Sequence, residues 1–250
     1  SSLLMSSYGF DRDNKEEKKE ENLSNEIKET VLYNEPKVNN KEIDEINQYG
    51  YMLYDSSIYK DPIDFKEIFM IDKYQKVFVI GYYKGYCKVE YDIEKNQKVI
   101  GYVPASWIEL LPNKFIDIDL SSQSIKMYQD NNKVLDSVTV TGKSYESPTR
   151  IGYFDIYYKE RNATLRGTNT NGTQYASFVD YWMPFDGGIG LHDAEYHTCN
   201  NGNHGWRYSD NFGGDTYLYG GSHGCVNLLN ETAKYIYDNT EVGTKVLVHK

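Results

Sequence analysis

Glycine, histidine and cysteine concentrate near the carboxyl end of the chain, between Gly187 and Leu228. The densest piece of this region reads Gly220-Gly221-Ser222-His223-Gly224-Cys225-Val226-Asn227-Leu228. Its glycines leave the backbone exposed and close to whatever binds there. A thiol reacts near neutral pH when an imidazole or nearby backbone N–H groups favour its thiolate. The pattern therefore indicates a reactive thiol at Cys225.

A cysteine nucleophile needs a base within reach, and three histidines compete for that role. His192 follows an apolar run that is typical of a strand end, which would give its ring a rigid platform. His204 lies in an asparagine- and glycine-rich loop with little to fix its ring, and His223 precedes Cys225 in the same loop. We predict that His192 is the base, that His223 assists, and that His204 is the competing candidate.

A second cluster of this kind lies between His192 and Cys225. His197, Cys199 and His204 could offer three zinc ligands. No fourth ligand is evident in the same segment, so the sequence favours a mobile lid over a metal site. We therefore predict no metal and no cofactor.

The composition favours a folded, β-rich protein and argues against a nucleic-acid partner, an anionic membrane partner and a disulfide-rich scaffold. The chain has 250 residues, of which 39% are hydrophobic and 15% aromatic, so it can bury a core. Its 25 tyrosines favour β structure. The net charge of −10 argues against nucleic acid or an anionic membrane as the main partner. Three cysteines are too few for a disulfide framework, and an odd number cannot all pair within one chain.

The chain divides by pattern into three segments. Residues 1–48 carry a dense run of both charges, which predicts a solvated tether with at most a helix from Glu17 to Leu32. Residues 49–112 hold short strands with period-two alternation, as in a small barrel or curled meander. Residues 113–250 continue as a β series that includes one helix, from Glu231 to Asp238. The predicted fold is therefore mostly β.

The middle segment resembles a bacterial SH3-like domain. The resemblance rests on the strand Tyr86-Cys87-Lys88-Val89-Glu90-Tyr91 and on the closing stretch from Gly101 to Leu110. Cys87 lies within the strand pattern, so we expect it to be a buried structural thiol.

The last segment resembles the L,D-transpeptidase (YkuD) catalytic domain over about residues 114–250. The most specific match is the stretch Ser222-His223-Gly224-Cys225-Val226-Asn227. Three further stretches agree in order, namely Val140 to Phe154, Tyr181 to Ala194 and Phe212 to Asp215. One departure is the distance from His192 to Ser222, which is longer than usual because of an insert from His197 to Trp206.

The resemblance implies a role for each matching residue. Cys225 would be the nucleophile, His192 its base, and Asp193 would orient His192 through its backbone carbonyl. His223 would support the loop or the charged intermediate. Ser222 and Gly224 would shape the loop, and backbone N–H groups around Gly224 would form the oxyanion hole. The residues expected to contact the substrate are Tyr181, Trp182, Met183, Trp206 and Asn227.

The resemblance also implies a substrate and a location. We expect a peptidoglycan L,D-transpeptidase that forms 3→3 cross-links between donor and acceptor stem peptides through a cysteine thioester. Carbapenem β-lactams would inhibit it. It would act outside the cytoplasm at the cell wall, secreted or anchored by an N-terminal segment that has been removed. Two alternatives stay open: an L,D-carboxypeptidase of the same fold, and a non-catalytic cell-wall-binding protein.

Overall fold

The computed structural model describes residues 30–32, 38–200 and 202–250. The strands are β1 (Thr30–Leu32), β2 (Asp44–Met52), β3 (Ser56–Tyr59), β4 (Glu67–Ile71), β5 (Lys76–Tyr83), β6 (Tyr86–Glu94), β7 (Gln97–Pro104), β8 (Ile108–Leu110), β9 (Lys114–Asp119), β10 (Ser124–Gln129), β11 (Asn132–Val140), β12 (Gly152–Asp155), β13 (Glu160–Thr168), β14 (Gln174–Asp186), β15 (Ile189–Asp193), β16 (His197–Cys199), β17 (Gly202–His204), β18 (Val226–Leu228) and β19 (Lys245–His249). The α-helices are α1 (Thr216–Gly220) and α2 (Asn230–Asn239). The predicted mostly-β fold is confirmed.

The first eight strands form one sheet in the order β4-β3-β7-β6-β5-β2-β8, with β1 paired in parallel to β7. Alternate residues of β5 and β6 point inward, so Val77, Val79 and Val89 lie in one hydrophobic cluster. Cys87 belongs to this cluster and is buried, as the strand pattern predicted. The sheet therefore has a core of its own.

More of the N-terminal segment forms regular structure than its charge pattern predicted. The strand β2 begins at Asp44, before the expected boundary at residue 48, because its later residues pack into the first sheet. The helix expected from Glu17 to Leu32 lies mostly outside the described residues, and its last three residues form β1 instead. Pairing with β7 outweighs the weak helix signal there.

The second sheet has nine strands in the order β12-β19-β9-β10-β11-β18-β15-β14-β13. It contains the predicted strands and the predicted C-terminal helix, which buries Ala233 and Ile236 against the sheet. The sequence analysis did not predict the long hairpin of β13 and β14. The strand β12 begins only at Gly152, and Thr149 before it binds a neighbouring loop.

Aromatic side chains join the two sheets. Tyr49 and Tyr51 of the first sheet pack with Phe115, Tyr128 and residues near them in the second. At the same junction, the Nζ atom of Lys76 lies 2.5 Å from the buried Asp117 carboxylate, which also pairs with His249. An ion pair and a hydrophobic cluster thus hold the first sheet against the second. Within the described residues, no helix is long and apolar enough to cross a membrane.

Candidate active site

Two neighbouring parallel strands bring His192 and Cys225 together. β15 and β18 pair in parallel, with His192 opposite Asn227. Cys225 directly precedes β18, and side chains two residues apart share one face of a strand. Cys225, Asn227 and His192 accordingly line the same cavity. Residues distant in sequence meet here because β18 enters the sheet between β11 and β15.

The His192 ring is held in one orientation and one tautomer. It is 3% exposed, and its Nδ1 lies 2.8 Å from the carbonyl oxygen of Asp193. Because a carbonyl oxygen only accepts hydrogen bonds, the proton of the neutral ring is on Nδ1 and Nε2 is free to accept one. Burial lowers the pKa of His192, although the bond to Asp193 partly opposes that shift. His192 is therefore a neutral imidazole at neutral pH, as a base must be.

Asp193 also fixes the neighbouring strand. Its carboxylate accepts hydrogen bonds from the backbone N–H groups of Asp180 and Tyr181, at 3.1 and 2.8 Å. The carbonyl of this residue orients His192 while its side chain anchors β14. The sequence pointed to the carbonyl contact but gave no sign of the anchoring contact.

The Cys225 thiol has a raised pKa, so it is protonated at neutral pH. Burial raises its pKa to about 11, and a backbone hydrogen bond from Gly190 offsets this only in part. The Sγ atom makes one long contact, of 3.9 Å, with the carbonyl oxygen of Gly188. A neutral thiol beside a neutral imidazole is a resting pair, and proton transfer to His192 would generate the thiolate.

The loop that carries Cys225 is fastened by a second loop, between β11 and β12. Thr149 Oγ1 donates to the carbonyl oxygen of Gly224 at 2.7 Å and accepts from the Gly142 N–H at 2.9 Å. Ser147 Oγ donates to the carbonyl oxygen of Ser222 at 2.8 Å. The sequence analysis matched this stretch to the family but assigned Ser147 and Thr149 no role.

Contacts inside the loop set its shape. Ser222 Oγ donates to the carbonyl oxygen of Cys225 and accepts from the Gly224 N–H at 3.2 Å. Gly224 has φ +126°, and Ile189 lies 2.7 Å from where a Cβ atom would be. A larger residue would be both strained and crowded there. Glycine is required for this turn.

Two of the five predicted substrate contacts lie in the core and do not line the cavity. Tyr181 is 6% exposed and Met183 is fully buried, and both belong to the hydrophobic core of the second sheet. Successive residues of a strand point to opposite faces, so only Trp182, between them, faces the cavity. Asn227 lines the cavity floor but is buried, with its Nδ2 donating to the carbonyl oxygen of Val140 at 3.1 Å.

The remaining walls of the cavity are aromatic and basic. The cavity has a volume of about 510 Å³. The Trp182 and Trp206 rings flank His192, with centroids 6.0 and 5.9 Å from the imidazole. The exposed His223 ring stacks on Tyr175 at 4.7 Å rather than lying against the core. Lining residues that the sequence analysis missed are Thr164, Leu165, Arg166, Asn169, Tyr175, Ser177, Gly188, Arg207 and Gly221.

Arg207 stands out among the missed residues. It donates through Nη2 to the carbonyl oxygen of Gly220, and burial lowers its pKa. Its Nε is buried with no partner among the described residues. A half-buried guanidinium at the cavity wall provides a positive charge close to the Cys225 loop. In the sequence, Arg207 directly follows Trp206, which was expected to contact the substrate. That position could have pointed to Arg207 as a cavity residue.

The insert from His197 to Trp206, expected to be a mobile lid, contains regular structure. Its described residues form the antiparallel hairpin of β16 and β17, in which His197 pairs with His204. The His204 ring, expected to be loose, contacts the Asp180 carboxylate at 2.8 Å and the Phe178 ring at 4.6 Å. Its Nδ1 thus faces Asp180, and the structure shows no hydrogen bond from this ring to Cys225 among the described residues.

Comparison with known proteins identifies the family of the second sheet. The L,D-transpeptidase catalytic domain family (YkuD) matches residues 113–248. An Enterococcus faecium L,D-transpeptidase crystal structure is 27% identical, with a TM-score of 0.49, over 80% of this chain and 76% of that chain. The catalytic domain of the E. faecium enzyme acylated by ertapenem is 38% identical, with a TM-score of 0.47, over 56% of this chain and 98% of that chain. No curated protein matches. Because the family model spans more than half of the chain, this protein belongs to the YkuD family of L,D-transpeptidase catalytic domains.

Proposed function

We propose that the protein is a peptidoglycan L,D-transpeptidase that joins stem peptides by 3→3 cross-links through a thioester on Cys225. The observation that carries the proposal is the pairing of β15 with β18. It places a neutral His192, with Nε2 free to accept a proton, on the same cavity face as the Cys225 thiol.

In the first step, Cys225 Sγ attacks the carbonyl carbon of the donor peptide at the third residue of its stem. His192 Nε2 takes the thiol proton. Backbone N–H groups near Gly224 and Cys225 stabilise the oxyanion, at roughly 3 kcal/mol for one donor. The C–N bond then breaks, His192 returns the proton to the leaving amine, and a D-amino acid departs. A thioester on Cys225 remains.

In the second step, the side-chain amine of an acceptor stem attacks the thioester. His192 removes a proton from this amine, the new C–N bond forms and the C–S bond breaks. The thiolate then recovers the proton from His192. Atoms and charges balance, and no cofactor takes part.

The cavity walls suit this substrate. Trp182 and Trp206 provide apolar surface beside the reacting groups, and Asn227 forms the floor. We assign Arg207 and Arg166 to the negatively charged carboxylates of the stem peptide, since both line the cavity. His223, exposed and stacked on Tyr175, supports the mouth of the cavity.

The first sheet fits a role in positioning. We propose that it is the SH3-like module expected from the sequence and that it holds the catalytic sheet near the wall, outside the cytoplasm. The junction around Tyr49, Phe115 and Lys76 fixes its orientation relative to the cavity.

Mass spectrometry of muropeptides incubated with the full chain tests the proposal. We expect cross-linked dimers and release of one D-amino acid per cross-link when an acceptor peptide is present. Release of the D-amino acid without dimers would identify an L,D-carboxypeptidase. Neither product, together with no acylation of Cys225, would indicate a protein that only binds the wall.

Carbapenems provide a second test, because family membership implies that these β-lactams mimic the acyl donor. Opening of the lactam by Cys225 should leave one covalent adduct on the intact protein. A Cys225→Ala protein should carry none. An adduct that persists in that variant would place the reactive group elsewhere.

A further inference from the structure

A second group of reactive side chains lies on the β16–β17 hairpin, outside the cavity. One ligand atom from each of His197, Cys199 and His204 lies within 4.8 Å of the other two. The hairpin explains this proximity, since His197 pairs with His204 and residues 197 and 199 share one face of β16. Ligands of a tetrahedral zinc ion are roughly 3.3 to 3.8 Å apart. Small side-chain rotations would close the difference.

The candidate for a fourth ligand lies outside the hairpin, against the two histidines. Asp180, on β14, places Oδ2 at 2.9 Å from His197 Nε2 and Oδ1 at 2.8 Å from His204 Nδ1. Both imidazoles thus converge on one carboxylate. Two nitrogens, a thiolate and a carboxylate oxygen are donors that zinc accepts in proteins. This ligand was invisible in the sequence because Asp180 is remote from the insert.

The His197 ring has oxygen acceptors on both sides. Its Nδ1 is 2.8 Å from the carbonyl oxygen of Glu195, so Nδ1 carries a proton. Its Nε2 faces the Asp180 carboxylate, which also only accepts when ionised. A proton on Nε2 satisfies this contact in the metal-free protein, and a zinc ion bound by both groups would replace that proton. A ligand histidine whose other nitrogen donates to a backbone carbonyl is the common arrangement around zinc.

We propose that His197, Cys199, His204 and Asp180 bind one zinc ion as a structural site that fixes the β16–β17 hairpin. Four protein ligands fill a tetrahedral ion, so the site is closed and takes no part in the chemistry at Cys225.

The hairpin connects this site to the cavity. The chain leaves β17 through Gly205 to Trp206, whose N–H donates to the carbonyl oxygen of Ala194 at 3.1 Å and whose ring faces His192. On the other side, the backbone N–H of Asp180 is held by Asp193, the residue that orients His192. Zinc would therefore stabilise the cavity wall that contains Trp206, while binding outside the cavity itself.

Metal titration of the full chain tests the proposal. The Cys225→Ala protein is used throughout, so that the cavity thiol cannot bind metal. After chelator treatment, we expect one equivalent of zinc by calorimetry. One equivalent of Co²⁺ should give a thiolate-to-cobalt charge-transfer band. Zinc should also raise the midpoint of thermal unfolding.

Variants in the same background identify the ligands. Cys199→Ser and His204→Ala should weaken zinc binding by more than 100-fold, and Cys199→Ser should abolish the charge-transfer band. Asp180→Asn should weaken binding by about 10- to 100-fold. Thr198→Ala is the matched control, since Thr198 lies between two ligands with its side chain exposed, and should bind as before. Circular dichroism of each metal-free variant confirms that it is folded.

Three results would overturn the proposal. The first is absence of saturable zinc binding to the Cys225→Ala protein. The second is cobalt binding without a thiolate band, which does not depend on the folding of any hairpin variant. The third is unchanged affinity in Cys199→Ser, which would place the metal elsewhere.

Discussion

Two groups of cysteine and histidine lie near β14 and β15, one in the cavity and one on the β16–β17 hairpin, and they differ in what faces each imidazole. His192 is mounted on a core strand and gives its Nδ1 proton to a backbone carbonyl, which leaves a neutral acceptor nitrogen beside Cys225. In the hairpin, the rings of His197 and His204 both face the carboxylate of Asp180. The same residue types thus suit proton transfer in the cavity and cation binding on the hairpin. The group that each imidazole contacts, more than the distance in sequence from the histidine to a cysteine, decides which chemistry the histidine supports.

The largest expected difference is between the two cysteines. Cys225→Ala should abolish cross-linking and D-amino-acid release, because no other described thiol lies in the cavity. Cys199→Ala should keep at least half of the activity, since Cys199 faces Gly202 on the hairpin. Both are measured by muropeptide mass spectrometry. Activity of Cys225→Ala above a tenth of the unsubstituted protein would exclude Cys225 as the nucleophile.

The histidines should separate in the same way. We expect His192→Ala to lose about 10²- to 10⁴-fold in the rate of Cys225 acylation, the usual contribution of a general base. His204→Ala should lose far less, and His223→Ala should fall between them because it disturbs the loop and its charge. Stopped-flow measurement of carbapenem acylation gives all three rates. A His204→Ala variant slower than His192→Ala would show that the hairpin, not β15, carries the base.

A smaller effect is expected from the residues that fasten the Cys225 loop. Thr149→Val keeps the shape of the side chain but removes its bonds to Gly224 and Gly142. Two neutral hydrogen bonds at about 1 kcal/mol each imply a loss of up to about 30-fold in kcat. Thr198→Val removes a comparable bond to Asn203 on the exposed hairpin and should change kcat less than twofold. Equal effects of the two changes would mean that loop fastening does not matter for catalysis.

How far the sequence predicted the site depends on the range of each contact. The Ser222–Asn227 stretch is local and specific, so Cys225 and its loop were predictable from the residues. The strand-end position pointed to His192, and the family resemblance implied that the carbonyl of Asp193 orients it.

Contacts that depend on strand faces or on distant strands were not predictable in the same way. Tyr181 and Met183 were grouped with Trp182 because the three are consecutive, but a strand sends alternate residues to opposite faces. Asp180 reaches the hairpin only once β14 and β15 have paired, and Thr149 reaches Gly224 only once β18 has entered the sheet. The sequence neighbours of such residues therefore do not indicate these contacts.

The central claim is that His192 acts as a neutral base on a Cys225 thiol that is otherwise protonated. The most direct test is the pH dependence of Cys225 acylation in the unsubstituted protein and in His192→Ala. Because the pKa of His192 is lowered, the unsubstituted protein should keep its rate as pH falls through 6.5 and lose it only below that. His192→Ala should instead gain rate steadily as pH rises toward the thiol pKa of about 11, since only free thiolate would react. Identical profiles for the two proteins would contradict the assignment of His192 as the base.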